Sequence, residues 1–211
     1  MYNYSEKHNV LFVHIPKNAG TSIINSLGMD SAKVKHYPLS ILQTYMPKDI
    51  FDNAIKVAVF RSPFQRMVSY HRHRINKQQD PKKMPFHLWL RDGTIQYNMN
   101  NYDALPQIKW CTKMDMVDLS NSMDYILNFE KLNEQWSELC QIENLDVEPL
   151  QKLNNTGDYD YTDYYETLED MILVNHLYRT DVSLFRYHFS IPNDFPLLKG
   201  KEEIHNFLIG K

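Results

Sequence analysis

Residues 10–22 read Val-Leu-Phe-Val-His-Ile-Pro-Lys-Asn-Ala-Gly-Thr-Ser, and this stretch decides the fold. Its first six residues form an apolar run with the length of a buried strand, and Pro16 ends that run. Residues 21–27 favour a short helix that Gly28 terminates. The stretch therefore predicts a strand, a tight turn and a helix in immediate succession.

The predicted turn has the features of an anion-binding site. The first N–H groups of a helix have no partner within the helix, and the helix dipole places partial positive charge there. Gly20 lets the backbone approach a phosphate closely because it has no Cβ. Lys17 adds a mobile positive charge, and the hydroxyls of Thr21 and Ser22 add donors.

The turn differs from the common loop of nucleoside-triphosphate enzymes. The spacing Gly-x-x-x-x-Gly-Lys-Ser/Thr is absent, because Lys17 precedes Gly20 instead of following it. No Asp that would bind Mg²⁺ follows a later predicted strand. Both differences argue against an ATP-dependent enzyme, although a kinase of a small metabolite stays open as an alternative.

A second predicted strand, Ile55–Phe60, leads directly into Arg61. Ser62 is predicted to cap the following helix, with Pro63 at its first position and Gln65 completing a capping box. The planar guanidinium of Arg61 suits two-point binding of phosphate. Ser69 lies two turns into this helix, where its hydroxyl can reach the same anion. The predicted core face consists of Phe64, Met67, Val68, His71 and Ile75.

The rest of the chain continues the alternation of strands and helices. Residues 124–129 are predicted as a strand, and a helix follows near Leu132. Residues 163–178 are predicted as a helix whose core face carries Leu168, Met171, Ile172 and Leu177. This order predicts a parallel α/β sheet in one domain that spans residues 1–211.

Both segments resemble motifs of the PAPS-dependent carbohydrate sulfotransferases, the sulfotransferase family 2-like group. Residues 16–22 are similar to the family's 5′-phosphosulfate loop, Pro-Lys-x-x-Gly-Thr/Cys-Ser/Thr. Residues 61–69 are similar to its 3′-phosphate motif, Arg-Asp/Asn-Pro-x-x-Arg-x-x-Ser, with Ser62 in place of the acidic or amide residue. The resemblance implies a P-loop-like three-layer fold, with a central, mostly parallel sheet flanked by helices.

The resemblance also implies 3′-phosphoadenosine-5′-phosphosulfate (PAPS) as the sulfuryl donor, with no metal required. The residues it implies for nucleotide binding are Lys17, Asn18, Ala19, Gly20, Thr21, Ser22, Arg61, Ser69, Asn155 and Thr156. Lys17 is also implied in catalysis, through its contact with the leaving phosphate. Arg66 matches the second Arg of the 3′-phosphate motif, where a purely structural ion pair is the alternative role.

A hydroxyl acceptor needs a group that takes its proton, and His suits neutral pH. Several branches of the family carry a catalytic-base His between the two motifs, the interval in which His36 lies, while others use Glu. We therefore predict His36 as the base. His73 and Glu130 are weaker candidates, His14 is expected to have a positioning role, and His71 is expected to pack in the core.

Composition narrows the class of protein. Charged residues make up 23% of the chain and the net charge is −3, which argues against a general nucleic-acid binder. A non-catalytic module whose basic helix binds nucleic acid is the remaining alternative. The basic residues of this helix are Arg66, Arg72, Arg74 and Lys77.

The two cysteines, Cys111 and Cys140, are too few for a disulfide framework and lack the spacing of metal ligands. No apolar run approaches the roughly 20 residues that are needed to span a membrane, and the N-terminal residues show no signal-peptide pattern. We therefore expect a cytoplasmic enzyme without a membrane span.

Residues 78–120 match no element of the family and are predicted to bind the acceptor or to form a lid. Side chains that could stack on sugar rings are Trp89, Tyr97, Tyr102 and Trp110, and those that could meet an anionic polymer are Lys82, Lys83, Arg91 and Lys109. For each of them a place in the core or on the solvated surface is the alternative. A saccharide acceptor follows from the resemblance alone. The sequence leaves the modified hydroxyl and the oligomeric state open.

Overall fold

The computed structural model of the protein describes residues 2–30, 32, 36–76, 83–91, 104–113, 118–151, 159–189 and 191–211. The strands are β1 (Tyr4–Ser5), β2 (Val10–Phe12), β3 (Ile55–Phe60), β4 (Tyr125–Asn128) and β5 (Leu198–Lys199). The helices before β4 are α1 (Gly20–Ser26), α2 (Leu39–Tyr45), α3 (Lys48–Asn53), α4 (Pro63–Asn76), α5 (Phe86–Trp89) and α6 (Gln107–Trp110). Those after it are α7 (Leu132–Ile142), α8 (Leu168–Leu177), α9 (Arg179–Phe185) and α10 (Gly200–Ile209).

The strands form one sheet in the order β1-β2-β3-β4-β5. The three central strands are parallel, and each edge strand is antiparallel to its neighbour. The predicted α/β class with a mostly parallel sheet is thus confirmed. Because β2, β3 and β4 run in the same direction, the segments that follow them meet at one edge of the sheet. These segments are the loop at Lys17, Arg61 and Phe129.

Side chains of the central strands alternate between two apolar cores. Leu11, Ala58 and Ile126 pack into one core, together with residues of α2, α3, α6, α9 and α10. Phe12, Val59 and Leu127 pack into the other, with α1 and α7. Helices therefore cover both faces of the sheet, which explains why all residues of its central strands except Lys56 and Asn128 are apolar.

A third apolar cluster surrounds α4. Phe64, Met67 and Val68 pack against α5 and α8, together with Tyr165 and Tyr178. This confirms most of the predicted core face of α4. Within the described part of the chain, no helix has both the length and the apolar character needed to cross a bilayer.

The prediction for residues 163–178 was wrong in its start and in half of its buried face, whereas Met171 and Leu177 pack against the third apolar cluster as predicted. Helix α8 begins at Leu168, after a capping box between Thr167 and Asp170. Leu168 and Ile172, predicted to face the core, are 63% and 57% exposed. The buried side carries Asp170 and Val174 instead, because the Asp170 carboxylate forms an ion pair with Arg91. A pattern of polar and apolar residues therefore predicts the wrong buried face of a helix where a carboxylate is buried with a charged partner.

Candidate functional site

The loop after β2 is a tight turn with an unusual backbone. Lys17 and Ala19 have φ angles of 72° and 57°, which residues other than Gly seldom adopt. Asn18 lies between them and donates its N–H to Ile15 O at 3.4 Å. Left-handed residues next to right-handed or extended ones turn successive N–H groups toward one concave surface, a geometry that binds anions. Lys17 and Ala19 thus lie in the turn that the sequence predicted.

Thr21 and Ser22 open helix α1 directly after this turn. Ser22 N donates to Ala19 O at 3.0 Å, so the loop passes into the helix without an intervening residue. Ser22 is buried and Thr21 is half-buried. Both hydroxyl-bearing residues therefore lie where the sequence placed them.

Gly20 is required by its neighbour His14. A Cβ at Gly20 would lie 1.9 Å from Nε2 of His14, and the φ of Gly20 is not positive. The sequence analysis explained Gly20 by the close approach of a phosphate. The contact with His14 is a second reason for a glycine at this position, and the sequence alone could not reveal it. The imidazole of His14 is therefore part of the loop's packing.

His14 is buried and His36 lies against it. The two ring centroids are 4.2 Å apart, and Nδ1 of His36 is 3.2 Å from the main-chain oxygen of His14. Burial, with smaller contributions from His36 and Lys17, lowers the pKa of His14 well below its usual range. The structure thus brings His36 to the loop, from 22 residues along the chain.

The side chain of Asn18 is used inside the protein. It is 1% exposed, and Nδ2 donates to Val59 O at 2.7 Å and to Oε1 of Gln107 at 2.6 Å. It therefore holds the loop against β3 and α6. Its side chain is therefore used for packing and not for the nucleotide contact that the resemblance implies.

Arg61 joins the two predicted anion-binding segments. Its Nη1 donates to the main-chain oxygen of Lys17 at 3.1 Å, and the guanidinium lies 4.0 Å from the ring centroid of Phe129. Burial lowers the pKa of Arg61, and the negative charge of Glu130 is among the effects that oppose this. A guanidinium stays charged at neutral pH, so this edge of the sheet carries a fixed positive charge.

The start of α4 differs from the predicted capping box. The helix begins at Pro63 as predicted, and Arg66 N donates to Ser62 O at 2.8 Å. However, Oγ of Ser62 is buried and has no hydrogen-bond partner among the described residues, and Oε1 of Gln65 accepts from Nε of Arg61 at 3.3 Å. The Gln65 side chain thus binds Arg61 instead of completing the predicted capping box with Ser62. Ser69 lies one turn beyond Gln65, on the same face of the helix, and is buried.

Arg66 has a structural role. It is 1% exposed, and it donates from Nε to Pro16 O at 3.1 Å and from Nη1 to Leu105 O at 2.8 Å. These bonds fix the start of the loop to α4. The predicted structural role was an ion pair, and the structure adds hydrogen bonds to two main-chain carbonyls.

Gln107 and Asp181 form a polar centre that the sequence did not reveal. Oε1 of Gln107 accepts from Arg61 N at 2.9 Å, in addition to Asn18, and its Nε2 donates to Arg61 O at 2.8 Å. The buried carboxylate of Asp181 accepts from the N–H groups of Gln107 and Ile108 at 2.7 and 3.0 Å. Gln107 therefore connects both anion-binding segments to α6. The only signal was a polar residue between Pro106 and Ile108, inside the unmatched segment.

Glu130 lies beside Arg61, directly after β4. Burial raises the pKa of its carboxyl group, and the charge of Arg61 opposes this shift. His71 is a core residue as expected, since Nε2 lies 2.8 Å from Met84 O and the ring packs against Phe86 and Trp89. His73 is half-buried on α4.

Several predicted residues lie in the core or outside the described residues. Trp89 and Trp110 are buried, so the prediction that they stack on a sugar is wrong. Residues outside the described part are Lys77, Lys82, Tyr97, Tyr102, Asn155 and Thr156.

Among the described residues, no group of three His, Cys, Asp or Glu side chains is placed to hold a metal ion. A surface cavity of about 590 Å³ lies away from this site, between residues 2–8 and 146–148.

Comparison with protein families gives one match, described as the sulfotransferase family, over residues 1–188. Neither the curated proteins nor the solved structures give a match. The matched span includes both anion-binding segments and the three parallel strands. Because it covers most of the chain, the protein belongs to the sulfotransferase family, whose reaction is the transfer of a sulfuryl group.

Proposed function

We propose that the protein transfers the sulfuryl group of PAPS to a hydroxyl group of a saccharide. The observation that carries this proposal is the hydrogen bond from Arg61 to the main chain of Lys17 at 3.1 Å. It brings the two segments with anion-binding chemistry, 44 residues apart, to the same edge of the sheet. A nucleotide with phosphate groups at both its 5′ and 3′ positions fits two such segments, whereas ATP needs only one.

In this proposal the loop holds the 5′-phosphosulfate. The N–H groups of Ala19 and Gly20, the ammonium group of Lys17 and the hydroxyls of Thr21 and Ser22 supply its donors. Arg61 and Ser69 hold the 3′-phosphate. Arg61 now donates to a neutral carbonyl, and a phosphate dianion is the stronger acceptor because the bond is charge-assisted. Family membership also supports the P-loop-like arrangement of the fold.

Sulfuryl transfer should resemble phosphoryl transfer, in which positioning and charge stabilisation dominate. The acceptor oxygen forms a bond to sulfur while the bond between sulfur and the 5′-phosphate oxygen breaks. His36 takes the proton of the hydroxyl, and 3′,5′-ADP leaves. Lys17 stabilises the negative charge that grows on the leaving phosphate.

Calorimetric titration with 3′,5′-ADP and with 5′-AMP tests the donor. We expect 3′,5′-ADP to bind at least about tenfold more tightly, since hydrogen bonds to charged groups contribute about 1.5–3 kcal/mol. Arg61→Gln should remove this difference, and Lys17→Ala should weaken both ligands. Lys7→Ala, which removes an exposed charge paired with Asp146, is the control and should change neither. Equal affinity of the native protein for both ligands would contradict the proposal.

Turnover of His36→Ala tests the base. Labelled PAPS and a panel of saccharides serve as substrates. Loss of a general base should lower turnover by about 10²–10⁴-fold and leave the affinity for 3′,5′-ADP unchanged. Native turnover in this variant would eliminate His36 as the base without affecting the assignment of the donor.

The packing of α4 does not favour the nucleic-acid-binding alternative. Arg66 is buried, and the guanidinium of Arg72 lies 4.1 Å from the ring centroid of Tyr159 and donates to the hydroxyl of Tyr164. These side chains are packed into the protein and do not form an exposed basic face.

A further inference from the structure

We infer that His14 is a positioning residue that holds His36 in the tautomer with its lone pair on Nε2. The inference rests on the proposed function for its catalytic meaning, but the tautomer itself can be measured without turnover. It is carried by the contact between the two residues, which form one unit at the mouth of the loop.

The main-chain oxygen of His14 determines which nitrogen of His36 carries hydrogen. A carbonyl oxygen can only accept a hydrogen bond, and it lies 3.2 Å from Nδ1 of His36. Nδ1 must therefore carry the hydrogen, and the lone pair of the neutral ring lies on Nε2. Nε2 is then the atom that takes the proton of the acceptor hydroxyl.

That oxygen is held by the sheet. Val13 N donates to Val57 O at 2.9 Å, and Ile15 N donates to Val13 O at 3.0 Å. His14 is thus the central residue of a three-residue turn that directly follows the main-chain bond from Val13 to β3. His36 lies on a segment that leads into α2, so the bond ties the proposed base to the rigid central sheet.

The ring of His14 fills the space between His36 and the loop. It lies against Gly20 on one side, and the centroid of the His36 ring is 4.2 Å away. Burial and the nearby positive charges keep this ring neutral, as its lowered pKa indicates. When His36 gains a proton, its ring therefore faces a neutral ring. The bond from Nδ1–H to the carbonyl also becomes charge-assisted, which favours the protonated base.

Nitrogen NMR of the full chain with ¹⁵N-labelled histidine tests the tautomer. The signals of His36 are assigned by their loss in His36→Asn. We expect the neutral ring to show a protonated Nδ1 and an unprotonated Nε2 in the protein without ligand. The reverse tautomer would overturn the inference, even if turnover and binding of 3′,5′-ADP are as proposed. The inferred tautomer in a protein that binds no 3′,5′-ADP would instead overturn the proposed function.

Substitution of His14 tests its positioning role. Misplacement of a catalytic group can lower turnover by about 10²-fold, so we expect kcat of His14→Ala to fall by about 10- to 100-fold. Affinity for 3′,5′-ADP should change by less than about twofold, a split that general destabilisation would not produce. His14→Gln, which keeps a neutral side chain of similar reach, should restore part of kcat, and His8→Ala is the control. Native kcat in His14→Ala would overturn the role of the ring, whereas the tautomer should stay native because the main-chain oxygen is still present.

Discussion

Gly20 and Gly28 differ in what a methyl group would meet. At Gly20 it would collide with His14, whereas at Gly28 nothing lies within 4 Å but φ is +69°. We therefore expect Gly20→Ala to displace His14 and the loop, and to weaken 3′,5′-ADP by at least about tenfold. Gly28→Ala should cost about 1–2 kcal/mol of stability through its left-handed backbone and leave that affinity unchanged. If calorimetry showed the same loss of affinity for 3′,5′-ADP in both variants, the proposed packing of His14 against the loop would be contradicted.

His14 should also make the protein less stable in acid. Its pKa in the folded chain lies well below the ordinary value of 6.5. As the pH falls below about 6.5, the unfolded chain binds a proton that the folded chain does not, so stability decreases. His14→Gln should reduce this loss, measured as the free energy of unfolding in urea at pH 7.5 and 5.5. The same pH dependence in both proteins would contradict the burial of a neutral His14.

For single residues, the sequence predicted where charged side chains lie better than it predicted which contacts hold the site together. Lys17 and Arg61 were identified because each follows a strand and precedes a helix, which is a local pattern. The buried side chain of Asn18 was not foreseen, because its partners Val59 and Gln107 lie 41 and 89 residues away. Such contacts leave no trace in the neighbouring residues.

Two buried glutamines allow the polar centre of the site to be tested at the scale of elements. Gln107 joins the loop, the end of β3 and α6, whereas Gln135 of α7 joins β4 to the main chain of Phe195. Each substitution by Ala leaves buried groups unpaired, at about 1–3 kcal/mol for each group. Both variants should therefore lose stability, but only Gln107→Ala should also weaken 3′,5′-ADP. Similar affinities of the two variants would show that the centre does not shape the site.

The central elements were predictable because their patterns are strong. β3 has the predicted bounds, and the predicted first and third strands overlap β2 and β4. Half of the predicted core face of helix α8 was wrong, because Leu168 and Ile172 are exposed while Asp170 is buried with Arg91. The capping box of α4 was predicted from Ser62 and Gln65, but Arg61 competes for Gln65. Patterns of polarity predict elements well where charges are exposed, and fail where a charge is buried with a partner.

Ligand binding should stabilise the molecule as a whole. The proposed nucleotide contacts two of the three parallel strands through the segments that follow them, so unfolding of the sheet must release it. A ligand at 100 times its dissociation constant adds about 2.7 kcal/mol to the free energy of unfolding. At equal concentrations, 3′,5′-ADP should raise the thermal midpoint more than 5′-AMP does. The difference should vanish in Arg61→Gln, and its persistence there would contradict the assignment of Arg61.

Cys111 follows α6 and is fully buried, and burial raises its pKa well above the usual range. Cys140 is half-exposed, with its pKa raised to about 11. A thiol reagent at neutral pH should therefore modify Cys140 slowly and Cys111 only when the core beneath α6 opens. Asp181 and Gln107 hold α6 in place, and Cys111 directly follows this helix. The labelling rate of Cys111 therefore measures how often the region around α6 unfolds locally.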